Sequence, residues 1–156
     1  MTLKSPADLS VWTESEQRAA VVAEARTWIK TPWVHAADIK GAGVDCAMLL
    51  VRVYIDVGLV KDFDPRPYPP DWYLHRSGER FLGFLLDRSH QVEKPEVGDV
   101  AMLRVGRAFA HGGIVSRVAP LTIIHSFRPV GSVVEEEAAR NRLLEFDEAL
   151  FASFWE

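Results

Sequence analysis

Apolar residues recur at helical spacing over residues 13–29, where Ala19, Val22, Ala23 and Ile29 fall three or four apart and Arg26 is the charged member of the stripe. Thr13 and Glu16 make the pattern of a capping box ahead of it. Thr31-Pro32 closes the helix, because the residue before a proline is pushed out of the α region. A loop from Trp33 to Val44 follows, with Gly41 and Gly43 in it. Asp45 to Gly58 then reads as a second helix, with Asp45 as N-cap and Gly58 as C-terminal stop. Leu49, Leu50, Val53, Tyr54 and Val57 give it a wide apolar face, so it belongs in the centre of the fold.

An irregular excursion follows, carrying Pro65, Pro67, Pro69 and Pro70. The apolar residues Trp72, Tyr73, Leu74, Phe81, Leu82, Phe84, Leu85 and Leu86 predict one or two short helices covering the core. The second half changes period. Strands are expected at 100–105, 110–118, 121–127 and 131–135, separated by turns at 95–98, Gly106, Pro120 and 129–131. From Asn141 the tail reads as a short helix and then a last strand at 151–155. Helices first and a strand meander afterwards mean one α+β domain over residues 1–156, with N-terminal helices packed on a central antiparallel sheet.

A net charge of −4, with no Lys/Arg cluster, argues against a nucleic-acid binder. No apolar stretch approaches the length of a membrane span. Residues 1–10 hold no apolar signal segment, so synthesis in the cytoplasm is expected, and a wall-directed enzyme would then need lysis or a particle to carry it out. Cys46 is the one cysteine, which excludes an intrachain disulfide and a multi-thiolate zinc site.

A lone cysteine is most often a small buried hydrophobe. Cys46, however, stands in the first turn of a helix, where free N–H groups and the dipole favour a thiolate; a lowered thiol pKa is the expectation. A thiol nucleophile also needs a base that works near neutral pH, and histidine suits this best. Among His35, His75, His90, His111 and His125, the pair His111 and His125 falls on adjacent expected strands. His111, Gly113 and Val115 share one face, as do Ile123, His125 and Phe127, so the two rings are near cross-strand neighbours facing the helix that starts with Cys46. That arrangement gives nucleophile, base and orienter. Gly112 and Gly113 leave space beside His111, as a cleft requires, since glycine otherwise weakens a strand. His125 within Ile-Ile-His-Ser-Phe also reads as a satisfied core histidine. His75 and His90 read as surface residues, and His35 lies in the loop that leads to Cys46. The histidine spacing fits no familiar metal pattern, and no metal or other cofactor is expected.

Lys30-Thr31-Pro32-Trp33-Val34-His35, followed by Gly41-Ala42-Gly43-Val44-Asp45-Cys46-Ala47-Met48-Leu49-Leu50, resembles the nucleophile segment of NlpC/P60 proteins. Glu96 to Val100 resembles that family's turn into its first strand, Ala110 to Val115 its base strand, and Ile123 to Ser126 the strand of its third polar residue. The resemblance covers residues 20–135 and is nearest to the small members encoded with phage tails and gene transfer agents. It implies a papain-like α+β fold and cleavage of peptidoglycan stem peptides. Carried over, Cys46 is the nucleophile, His111 the base and His125 its orienter, while Trp33, His35, Asp45 and Gly112 line the substrate side. Two positions differ from the family. Trp33 stands where a tyrosine hydroxyl usually helps shape the centre, and Ala47-Met48 stands where a small residue and glycine usually follow the cysteine. The partners implied are the wall peptide and other phage-tail-type proteins. A structural or wall-binding tail component with a vestigial site, and a thiol acyltransferase, are the competing readings.

Overall fold

The computed structural model of the chain describes residues 11–68, 83, 87–105 and 108–156. Helix α1 spans Glu14–Arg26 and α2 spans Cys46–Val57. Between them, β1 (Asp38–Ile39) pairs with β2 (Gly43–Val44) in a small hairpin. The remaining strands are β3 (His90–Val92), β4 (Val100–Val105), β5 (Ala108–Arg117), β6 (Thr122–Phe127), β7 (Ser132–Glu137) and β8 (Glu145–Ser153). They form one antiparallel sheet in the order β3-β8-β4-β5-β6-β7. The architecture is α+β, as expected.

Both helix starts follow the chemistry of their caps. Thr13 accepts the N–H of Glu16 at 3.1 Å, and Asp45 accepts that of Met48 at 2.9 Å. Gly58 takes the left-handed conformation that ends α2, at φ 93°. Helix α2 is buried along nearly its whole length and packs on the sheet face that carries Met102, Ile114, Ile124 and Val133. Ala101, Leu103, Val115, Ile123, Phe127 and Leu144 form a second cluster on the opposite face.

Three expectations change. Helix α1 ends at Arg26 rather than at Thr31-Pro32, and a turn fills the interval. The tail is one long strand, β8, inserted between β3 and β4, where a short helix and a shorter strand were expected. Both sheet faces are covered there: Leu150 and Ala152 join the first cluster while Ala149 and Phe151 join the second, so no clean alternation survives in the sequence. His90–Val92 is a short strand on the sheet edge. The helices expected over 72–86, the residues His75, Trp72, Tyr73, Pro69 and Pro70, and the turn at Gly106 lie outside the described residues. No helix among the described residues is long and apolar enough to cross a membrane.

Arg18 ties α1 to the sheet. Its guanidinium donates to Glu14 at 2.9 Å, to the Val97 carbonyl at 2.9 Å, to Asp99 at 2.8 Å and to Ser153 at 3.3 Å, and it stacks over the Trp155 ring at 4.2 Å. Asp99 is 1% exposed, so removing the arginine strands a buried carboxylate. We expect Arg18→Ala to lower the unfolding free energy by about 3 kcal/mol, measured by urea denaturation. Arg18→Ala combined with Asp99→Asn should recover part of the loss.

Candidate active site

The site begins with the cap of α2. Both Asp45 carboxylate oxygens are occupied: Oδ1 by Met48 N–H, and Oδ2 by Ala36 N–H at 2.7 Å and the Tyr68 hydroxyl at 2.5 Å. Three donors therefore hold the carboxylate in place and fix the first turn of α2, on which Cys46 stands.

Sheet geometry brings the histidines to the same place. Strands β4 and β5 pair Met102 with Gly112 and Leu103 with His111. Strands β5 and β6 pair Ile114 with Ile124. Backbone groups alternate sides along a strand. Val115 N–H bonds Asp99 on the β4 side, so the Gly112 N–H, three residues away, points to the β6 side. There it meets the Cys46 sulfur, to which it offers a hydrogen bond. Cys46 thus sits against the backbone immediately beside His111.

Both histidine rings lie on the face of Phe127 and Ile123, opposite the face that receives the body of α2. This corrects the expectation that they face the helix. Cys46, at the start of α2, meets β5 at the Gly112 amide, the residue after His111. The expected shared faces hold. His111 Nε2 lies 2.6 Å from His125 Nδ1, and His125 Nε2 lies 2.7 Å from a carboxylate oxygen of Glu136. Asn141 donates its side-chain amide to that same oxygen at 2.8 Å. Glu136 and Asn141 were missed in the sequence. The available signal was Glu136 on a strand next to that of His125, with the parity that puts both on one face.

Gly112 is not open space. A Cβ there would lie 2.6 Å from Leu50 Cδ1 and 3.3 Å from the Met102 sulfur. At Gly113 it would lie 3.2 Å from Ile123 and 3.3 Å from His125. The glycines admit a helix and a histidine, not a cleft.

No protein-family model matches the sequence, and no curated relative does. Solved structures do match. The NlpC/p60 domain of the peptidoglycan hydrolase SagA aligns with 86% of this chain and 96% of that one, at TM-score 0.52 and 23% identity. The peptidoglycan hydrolase RipB from Mycobacterium tuberculosis aligns with 100% of this chain and 75% of that one, at TM-score 0.57 and 14% identity. The chain has the NlpC/p60 fold.

In this NlpC/p60 fold the site is enclosed. Cys46 is 9% exposed, His111 6% and His125 0%. Burial pushes the Cys46 thiol up, the Asp45 carboxylate adds to the rise, and the N–H groups of Gly112, Ala47 and Cys46 pull the other way without prevailing. The expected lowering by the helix start is therefore reversed. Burial, then His125, holds His111 well below the ordinary histidine range. Burial also lowers His125, against an upward pull from Glu136. The resting pair is a neutral thiol and a neutral imidazole.

The other sequence candidates surround this core. Trp33 is half-buried under Arg128, 5.2 Å from its ring centre, and its backbone N–H donates to the Gly131 carbonyl. His35 has Nδ1 3.9 Å from Asp45 and its ring edge-on to Tyr68 at 5.3 Å; that nitrogen has no hydrogen-bond partner among the described residues. Tyr68, in the proline-rich excursion after α2, spends its hydroxyl on Asp45 and packs against the core. His90 is exposed on the far edge strand. No group of three or more His, Cys, Asp or Glu among the described residues is placed to hold a metal ion.

Iodoacetamide labelling tests the resting state. Folded protein at neutral pH should alkylate Cys46 more slowly than a free thiol of pKa about 8.5, and unfolding should raise the rate. Fast alkylation of the folded chain at neutral pH would show a preformed thiolate instead.

Proposed function

We propose that this chain is a cysteine endopeptidase of NlpC/P60 type that hydrolyses peptidoglycan stem peptides. The observation that carries the reading is the placement of Cys46, at the start of α2, on the Gly112 amide next to the His111–His125 pair. The likeness in fold to two peptidoglycan hydrolases supports the substrate class.

The chemistry follows from the neutral pair. His111 takes the thiol proton as the sulfur attacks the peptide carbonyl. The Cys46 backbone N–H helps hold the oxyanion. His111 returns the proton to the leaving amine, which leaves a thioester on Cys46, and then activates the water that hydrolyses it. Because His111 is held below the ordinary histidine range, it stays unprotonated, and so able to act as base, at more acidic pH than a free imidazole.

The closed, neutral thiol favours one second reading: a structural wall-binding component with an inactive site. Incubation with purified peptidoglycan and mass spectrometry of the released fragments separates the two. Hydrolysis should yield new stem-peptide ends, and intact wall after prolonged incubation would support the second reading. Capture of the acyl group by an added amine would mark an acyltransferase. Within the first reading, His111→Ala should lower kcat/KM by at least about 100-fold. His125→Asn should keep partial activity, and His125→Ala should lose more. Delivery by a phage-type tail is a separate proposal. Mass spectrometry of purified particles should find the chain in them, and its absence from them would reject the tail.

A further inference from the structure

We propose that Glu136 is a positioning residue for the base: by accepting the Nε2–H of His125 it fixes the tautomers of both histidines, so that His111 keeps its Nδ1 lone pair for the Cys46 thiol. The proposal deepens the peptidase reading and rests on it for the role of His111.

The argument is proton bookkeeping along three groups. A carboxylate can only accept, so the 2.7 Å contact between Glu136 and His125 Nε2 requires the hydrogen on that nitrogen. A neutral imidazole carries one N–H, so His125 Nδ1 is then bare. His111 Nε2 lies 2.6 Å from that bare nitrogen. Two lone pairs repel at such a distance, so His111 Nε2 must carry the hydrogen. His111 Nδ1 is left as the acceptor, the one nitrogen able to take a proton from the nucleophile. Without a pure acceptor at position 136, the reversed order is equally satisfied within the histidine pair, and it puts a useless N–H at His111 Nδ1.

The neighbours of Glu136 support this role. Glu135 pairs with Arg26 and Glu137 with Arg140. Glu136, between them and on the other face from Glu135, meets a histidine and an amide instead. Asn141 fixes the carboxylate in turn. Its Oδ1 accepts the Leu143 N–H at 3.0 Å, which turns its NH2 group towards Glu136. That bond is part of the tight turn after β7, where Leu144 N–H donates to the Asn141 carbonyl. A glutamate needed only for solubility would not be held by a built turn.

The test combines ring-nitrogen NMR of protein labelled with 15N-histidine and steady-state kinetics on soluble wall fragments. Wild type should show His125 with a protonated Nε2 and a bare Nδ1. Glu136→Gln offers a carbonyl oxygen in the same place and should keep that pattern and most of kcat. Glu136→Leu should give mixed tautomers and lose about 10-fold to 100-fold in kcat at little-changed KM, by analogy with the loss of the hydrogen-bonded partner that orients a metal-bound histidine. A wild-type His125 protonated on Nδ1 would overturn the proposal, whether or not the variants fold. So would an unaltered His125 pattern in Glu136→Leu, or equal kcat in the Gln and Leu variants. The NMR outcome stands even if wild type cleaves no wall fragment, so failure of the peptidase reading and failure of the positioning role are told apart.

Discussion

The close approach of α2 to β5 at Gly112 brings Cys46 beside His111. A Cβ at that residue would come within 2.6 Å of Leu50 Cδ1, so the Leu50 side chain would have to shift to admit one. That contact carries the sulfur of Cys46 to the Gly112 amide, which points away from β4. His111 follows as the next residue back along β5. Cys46 and His111 therefore come from different sheet faces and are brought near each other at Gly112.

The same packing explains the electrostatics. A helix start favours a thiolate, but the helix is sunk so deep that loss of water outweighs it. Thiol and imidazole are driven apart in the sense that keeps both neutral. On the proposed mechanism charge appears only as the thiol proton moves to His111, and the chain of His111, His125, Glu136 and Asn141 would receive it. The negative end of that chain is held on β7 by hydrogen bonds, so the imidazolium gains a stabilising partner without reorganisation.

Much of this was legible in the sequence. Thr13, Asp45 and Gly58 mark helix limits through local hydrogen bonds and backbone angle, and local chemistry shows in a local pattern. The pairing of His111 with His125 follows from strand parity together with a turn around residues 118–120. What was hidden is what depends on distant contacts. Arg18 looks like an ordinary helix arginine until Asp99 and Ser153 arrive from the sheet. Strand β8 has no readable period because both its faces are covered. Glu136 lies in a run of three acids that reads as a solvated face until the register sets it beside His125. The glycines after His111 were read as room for substrate, whereas the room is taken by Leu50, Met102, Ile123 and His125. A sequence marks where a side chain is missing and leaves open what fills the space.

The central claim is that Cys46 carries the acyl group of a cleaved wall peptide. Intact-protein mass spectrometry after brief incubation with soluble stem-peptide fragments and an acid quench tests it most directly. The account predicts a mass increase equal to the acyl portion of the fragment, mapped to Cys46 and absent from Cys46→Ala, which should release no product. Undiminished product release by Cys46→Ala, with no adduct on the wild-type chain, would contradict it.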